Sequence, residues 1–392
     1  MANDTIQSYE LFRIAPRWLF LRIETAAGVV GWGEPVLEGY AEAVESAVRV
    51  MMESLVGEDP ALINRHWQRL AKGHFYGGLG PVLMSALSGI DQALWDIRGK
   101  TLGVPVIDLL GGAVRDRMQM YGWVGRDDDG PDVAAASAKR VVESFGFRML
   151  KMNGGPKMGY VDMEGAVDFG AARVQAVREA VGPDVKLAVD FHGRCKLPMA
   201  RKLIRKLEPF DLTFIEEPLH PDFNDSLPDL ANFTDIPIAT GERMFHFADF
   251  FELLKRPGVS VVQPDLSHAG GISHVRDIAR LAEHRDVALA PHCPLGPVAL
   301  ASCLAIDFVS LNAVFQESCQ GIHYHEEGGV ALWELVNNRD DFALDADGMV
   351  ARPTKPGLGL DLDEPAIRVA AEAGHAWRDR KWTLRDGAPT RW

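Results

Sequence analysis

The chain has 392 residues, 47% hydrophobic and 24% charged, which excludes a disordered, collagen-like or coiled-coil protein and suits one large barrel with additions, or two to three domains. With 41 basic against 55 acidic residues the net charge is −14, so nucleic acid and anionic membrane surfaces are poor bulk partners, and a small anionic ligand would need a local cation to receive it. Cys195, Cys293, Cys303 and Cys319 form no CxxC pair, which argues against a disulfide framework or zinc ribbon and for a reducing compartment. The first residues, MANDTIQSYELFRIAPRW, do not read as a secretory leader, and no apolar run approaches the length of a membrane span. A cytoplasmic protein is the expectation.

In chain order, RWLFLRIET (17–25) and GVVGWGEPV (28–36) read as an antiparallel hairpin or meander. Helical patterns follow at 42–57 and 85–103, where Leu87, Ile90, Ala93, Leu94 and Ile97 recur at helical spacing and Gly103 suits a C-cap. Strands followed by helices predict a small α+β unit over 1–118.

Beyond it the pattern changes. Short apolar runs end in polar residues, and each is followed by a helical stretch. The strand ends are Lys151 and Asn153, Asp190 and His192, Glu216, Glu242, Asp265, His292, and Glu317. From Asp190 to Glu216 and from Glu216 to Glu242 the step is 26 residues, and the later steps run from 23 to 27. That is one strand, one helix and two loops, repeated. It predicts a parallel β/α barrel over 119–345, whose C-terminal strand ends gather the polar residues into one ring. A doubly wound sheet would not place seven strand ends around one centre. A third segment, 346–392, with Pro and Gly turns and a Trp-rich tail, is expected to pack back on the N-terminal unit.

Asp190, Glu216 and Glu242 end successive strands. One such acid would more often be a helix cap, but three at a constant spacing repel unless a cation joins them. Oxygen-only ligands favour a hard ion, Mg²⁺ before Mn²⁺ or Ca²⁺. His192 shares its strand end with Asp190, and His292 follows Asp265 by one unit, so a carboxylate on a neighbouring strand can orient that imidazole. Lys151 is the cation of the ring. Glu317 is read either as a fourth metal ligand or as a protonated acid donating to an oxyanion. His268 lies near the ring without an assigned role, and the remaining histidines receive none.

The order Lys, Asp, Glu, Glu, Asp, His, Glu at strand ends resembles the enolase superfamily, mandelate racemase subgroup. GIDQALWDIRGK (89–100), VDFHGR (189–194), FIEEP (214–218), GERMF (241–245), QPDLSHAGGI (263–272), APHCPLGP (290–297) and GLGLDLDE (357–364) carry the resemblance along nearly the whole chain. It implies an α+β capping domain over a modified (β/α)7β barrel, with substrate between cap loops and barrel mouth. It implies Mg²⁺ on Asp190, Glu216 and Glu242, a His292–Asp265 base, His192 as leaving-group acid and Glu317 as electrophile. Racemases of the subgroup carry Lys-x-Lys where this chain has Lys151-Met152-Asn153, so the second base is absent and dehydration is expected rather than racemisation. Lys151, Asn153 and Glu317 are the expected substrate contacts. The implied partner is a small acid sugar, D-galactonate first and gluconate or altronate as alternatives. Substrate configuration is expected to be read by cap loops around Glu38–Tyr40 and His74–Tyr76, and a homo-oligomer is expected. A binding homologue without catalysis would predict a gap in the ring, and none is seen. A metal-dependent hydrolase would need His-x-His near the first strand, whereas His323-x-His325 follows the last.

Overall fold

The computed structural model describes residues 4–73, 75, 80–155, 158–161, 164–320, 330–331, 333–384 and 386–390. Strands β1 (Ile6–Ile14), β2 (Trp18–Thr25) and β3 (Val30–Gly33) form an antiparallel sheet in that order. Helices α1 (Ala41–Met52), α2 (Ile63–Lys72), α3 (Pro81–Leu102) and the short α4 (Val106–Leu109) follow. The expected meander gains β1, whose polar Gln7, Ser8 and Glu10 interrupt the apolar run. Pairing with β2 from Ser8 to Ile14 supplies what hydrophobicity does not. Helix α1 stops five residues short of the expected end, and α2 is an addition.

The signature helix α3 acts as a clamp. A Cβ on Gly33 would lie 1.9 Å from the carbonyl oxygen of Gly89, and one on Gly31 2.3 Å from that of Ala93. Glycine at both β3 positions therefore lets helix backbone lie directly on strand backbone. The polar residues of α3 then reach three separate regions. Asp96 accepts from the N–H groups of Trp32 and Leu358, at 3.0 and 2.9 Å. Gln92 accepts from Glu34 N–H at 2.7 Å and donates to Ser267 Oγ at 3.0 Å. Asp91 accepts from Ser273 N–H and Oγ at 3.0 and 2.5 Å. The motif thus ties the antiparallel sheet, the later β/α units and the C-terminal segment to one helix.

Eight parallel strands make the second unit: β4 (Arg117–Val124), β5 (Met149–Asn153), β6 (Lys186–Asp190), β7 (Ile215–Glu216), β8 (Ile238–Thr240), β9 (Val261–Val262), β10 (Ala288–Leu289) and β11 (Gln316–Ser318). Between them run α5 (Pro131–Phe145), α6 (Glu164–Val181), α7 (Leu197–Leu207), α8 (Leu227–Ala231), α9 (Phe247–Leu253), α10 (Gly271–Glu283) and α11 (Pro297–Asp307). Neighbours in sequence pair from β4 to β10, and β11 pairs with β4. Leu289 of β10 pairs with Ala313 just before β11, which closes the ring. This is the parallel β/α barrel expected from the spacing, in the (β/α)7β form that the resemblance implied. Finally β12 (Met349–Ala351) pairs antiparallel with β4, and α12 (Glu364–Ala373) lies on β1, where Arg368 binds both oxygens of Glu10 at 2.7 and 2.8 Å. The last segment therefore touches both units.

Tyr121, Met149, Ala188, Phe214, Ala239, Val261 and Ala290 form one buried cluster, the apolar filling of the barrel. Side chains alternate along a strand, so the residue two positions on from each filler points inward one layer higher. Those residues are Trp123, Lys151, Asp190, Glu216, Gly241, Gln263 and His292. One further step adds Asn153, His192 and Asp265. The polar ring is the layer above the apolar plug. Among the described residues no helix is long and apolar enough to cross a membrane.

Candidate active site

At the centre of this layer is the Lys151 ammonium. Its Nζ lies 3.0 and 2.8 Å from the two oxygens of Glu216, 2.9 Å from Oε1 of Glu317 and 3.8 Å from Oδ2 of Asp190. The rings of Tyr121 and Trp123 stand 5.6 and 5.1 Å away. Burial opposes the charge on Lys151, but Glu216 and Glu317 outweigh it and hold the ammonium protonated well above its ordinary range.

Asp190 and Glu242 come together with His192, and Glu216 lies close enough for both acids to act on it. Burial, and then Asp190, Glu242 and Glu317, push Glu216 well above the usual carboxylate range against the pull of Lys151. Oδ2 of Asp190 and Oε2 of Glu242 are buried and accept no hydrogen bond. His192 Nε2 and His292 Nε2 come within 3.0 and 3.2 Å of them. Buried carboxylate oxygens without donors are what a hard cation would satisfy, so the residues fit one. The three donors within 4.8 Å of one another belong to Asp190, His192 and Glu242. Glu216 borders them, with its oxygens turned to Lys151 and to Gln263 Nε2 at 2.7 Å.

The two histidines stand just beyond the ends of β6 and β10, four strands apart in a ring of eight, and so face each other across the acids. His292 Nδ1 is 2.7 Å from Asp265 Oδ2, and Ser267 N–H holds the other Asp265 oxygen at 2.8 Å. Burial disfavours a charged His292 ring, but Glu242, Glu317 and Asp265 together hold it protonated far above the imidazole range. His292 also raises the acidity of Glu242, which sits at about 2 although burial opposes that. Glu317 accepts from the N–H of Cys293 at 2.9 Å.

His192 has φ 46°, a left-handed backbone held by its own N–H donating to Asp190 Oδ1 at 2.6 Å. Its ring stacks on Trp123 at 5.6 Å and meets Asn153 Nδ2 at 3.1 Å through Nδ1. Glu38 lies 3.1 Å from Arg17 and 3.4 Å from Nε2 of His268. His268 Nδ1 meets Ser85 Oγ at 3.0 Å, and its Nε2 is 3.7 Å from Asp265. His74 and Tyr76, and likewise His323 and His325, lie outside the described residues.

Sequence reasoning missed Tyr121 and Trp123 because β4 carries no charged residue at its end. One step of about 26 residues back from Lys151 would have placed a strand end near Gly125. It also gave no role to Gln263 and Arg194, although both fall in the quoted motifs, nor to Asp127, which no pattern marks.

Residues 13–111 match the family model of the mandelate racemase / muconate lactonizing enzyme N-terminal domain, and 133–366 match that of the enolase C-terminal domain-like family. The chain belongs to the mandelate racemase subgroup of the enolase superfamily. Over 381 residues, spanning 97% of this chain and 98% of the relative, it is 51% identical to D-galactonate dehydratase of Ralstonia nicotianae, and it is 50% identical over the same shares to that of Pectobacterium atrosepticum. An enolase crystal structure from Agrobacterium radiobacter, bound to Na and L-malate, superposes with a TM-score of 0.87 at 29% identity, covering 99% of this chain and 100% of that one.

Proposed function

We propose that this chain is a Mg²⁺-dependent hydro-lyase that converts D-galactonate to 2-dehydro-3-deoxy-D-galactonate and water. The observation that carries the reading is the pair of imidazoles on opposite sides of one buried carboxylate cluster. The near full-length likeness to D-galactonate dehydratases supplies the substrate.

Asp190, Glu216 and Glu242 would hold the ion, which when bound would receive the substrate carboxylate and stabilise charge developing on it. Lys151, with Glu317 beside it at 2.9 Å, would bind that carboxylate from the other side, Lys151 as a donor. With Glu242 engaged by a cation, Asp265 at 2.7 Å is the nearest partner left to His292. Its Nδ1 donates there, and Nε2 takes the C2 proton. His192 gives a proton to the departing C3 hydroxyl from the opposite side of the ring. The C2–H and C3–O bonds break, the C2–C3 double bond forms, and the enol product tautomerises to the 2-keto acid. Base and acid on opposite walls predict an anti elimination. A cytoplasmic setting belongs to the same proposal, supported by four buried cysteines that form no disulfide.

The test is a panel of aldonates with Mg²⁺, followed by detection of 2-keto-3-deoxy product. D-Galactonate is expected to be turned over, and EDTA to stop it. Turnover of gluconate or altronate alone would overturn the substrate. No keto product from any aldonate would overturn the reaction.

A further inference from the structure

The side chain that replaces the second lysine has a hydrogen-bond set that leaves it only one orientation. Asn153 is 2% exposed. Its Oδ1 accepts from the N–H of Gly155 at 3.2 Å, so the oxygen end of the amide is identified by a donor that cannot be reversed. Its Nδ2 donates to the carboxylate of Asp127, which can only accept while ionised. The amide nitrogen is identified twice over. The second hydrogen of Nδ2 faces His192 Nδ1 at 3.1 Å.

That hydrogen requires a lone pair on Nδ1. A proton on Nδ1 would set two N–H groups against each other. Neutral His192 must therefore carry its proton on Nε2, the atom that faces the acid cluster. Asp127 is itself held. Arg194, 2% exposed, donates to its Oδ1 at 3.1 Å and to the carbonyl of Gly155 at 2.8 Å. Trp382 from the C-terminal tail covers the Arg194 guanidinium, its ring centre at 4.2 Å. The chain Trp382, Arg194, Asp127, Asn153, His192 runs from the tail to the site.

We propose that Asn153, anchored by Asp127, is a positioning residue that fixes the tautomer and ring orientation of His192, so that Nε2 presents a proton to the leaving hydroxyl. Both amide hydrogens are then used within the protein and none is left for substrate. The inference rests on the proposed dehydration for its catalytic meaning, but the tautomer can be measured without turnover.

Asn153→Asp keeps the shape and replaces the donor facing Nδ1 by an oxygen that can only accept from it, which should move the proton to Nδ1. Protein labelled with ¹⁵N-histidine, with the His192 signals assigned by loss in His192→Asn, reports the tautomer by NMR. Dehydration and C2 exchange from D-galactonate in D₂O are followed in parallel with Mg²⁺. The wild type should show the Nε2–H form and Asn153→Asp the Nδ1–H form. In that variant dehydration should fall by ~10²–10⁴ while C2 exchange falls less than ~10-fold, because only the acid is disabled. Asp127→Asn should lower dehydration by ~10–100-fold with the same selectivity, as loss of an outer anchor does. A wild-type Nδ1–H tautomer, or equal falls in exchange and dehydration, would overturn the proposal. Should Asn153→Asp not fold, the wild-type tautomer and Asp127→Asn decide it. A wild type that neither exchanges nor dehydrates D-galactonate refutes the proposed function, and the tautomer still decides the positioning role.

Discussion

The two walls of the barrel mouth give the same kind of side chain opposite partners. Just beyond β10, His292 meets a carboxylate, Asp265, through Nδ1 at 2.7 Å. Just beyond β6, His192 meets an amide N–H, that of Asn153, through Nδ1 at 3.1 Å. A carboxylate demands a proton on Nδ1 and leaves Nε2 with a lone pair. An amide donor demands a lone pair on Nδ1 and leaves the proton on Nε2. In the proposed reaction, base and acid thus differ by the partner on the far edge of the ring, not by the residue that reacts.

The largest break of this comparison removes what both walls share. Asp190→Asn, Glu216→Gln or Glu242→Gln, or exhaustive EDTA treatment, should lower C2 exchange and dehydration together by ~10³-fold or more, the equivalent of several kcal/mol of transition-state stabilisation. Full activity after metal removal would end the metal reading.

Separating the walls comes next. His292→Asn should lose exchange and dehydration alike, and His192→Asn should lose dehydration by ~10²–10⁴ while deuterium still enters C2. Equal behaviour of the two variants would erase the distinction between base and acid.

The asymmetry also has a stereochemical reading. Asn153 stands where a second base would be, and it cannot accept a proton at neutral pH. The C2 epimer, D-talonate, should therefore exchange its C2 proton at least ~10²-fold more slowly than D-galactonate, as followed by NMR in D₂O. Comparable exchange would reveal a base on the His192 wall.

The smallest effect is a control outside both walls. Gly33→Ala forces a methyl against the Gly89 carbonyl and should cost ~1–3 kcal/mol of stability, seen as a lowered Tm. The ratio of exchange to dehydration should stay as in the wild type. A changed ratio would mean that the antiparallel sheet sets the histidine geometry.

Much of the frame was legible because barrels repeat. The 26-residue steps located Asp190, Glu216 and Glu242; the first two stand two residues beyond the inward fillers Ala188 and Phe214, and Glu242 stands three beyond Ala239. Strand β1 was not legible, because an edge strand with polar residues on one face leaves its evidence in pairing rather than in hydrophobicity. Strand β4 went unread because its end carries aromatics, Tyr121 and Trp123, rather than a charge.

Residue type and spacing by themselves determined that acids, imidazoles and a lysine would share one face, since a strand-helix repeat leaves each strand end at the same height. They did not determine partners. That Glu216 turns to Lys151 and Gln263, that Asn153 faces His192 and Asp127, and that Trp382 covers Arg194 were decided only by the tertiary structure. Hydrogen bonds reach about 3 Å whatever the separation along the chain, and a proton's place on an imidazole depends on the atom across that gap.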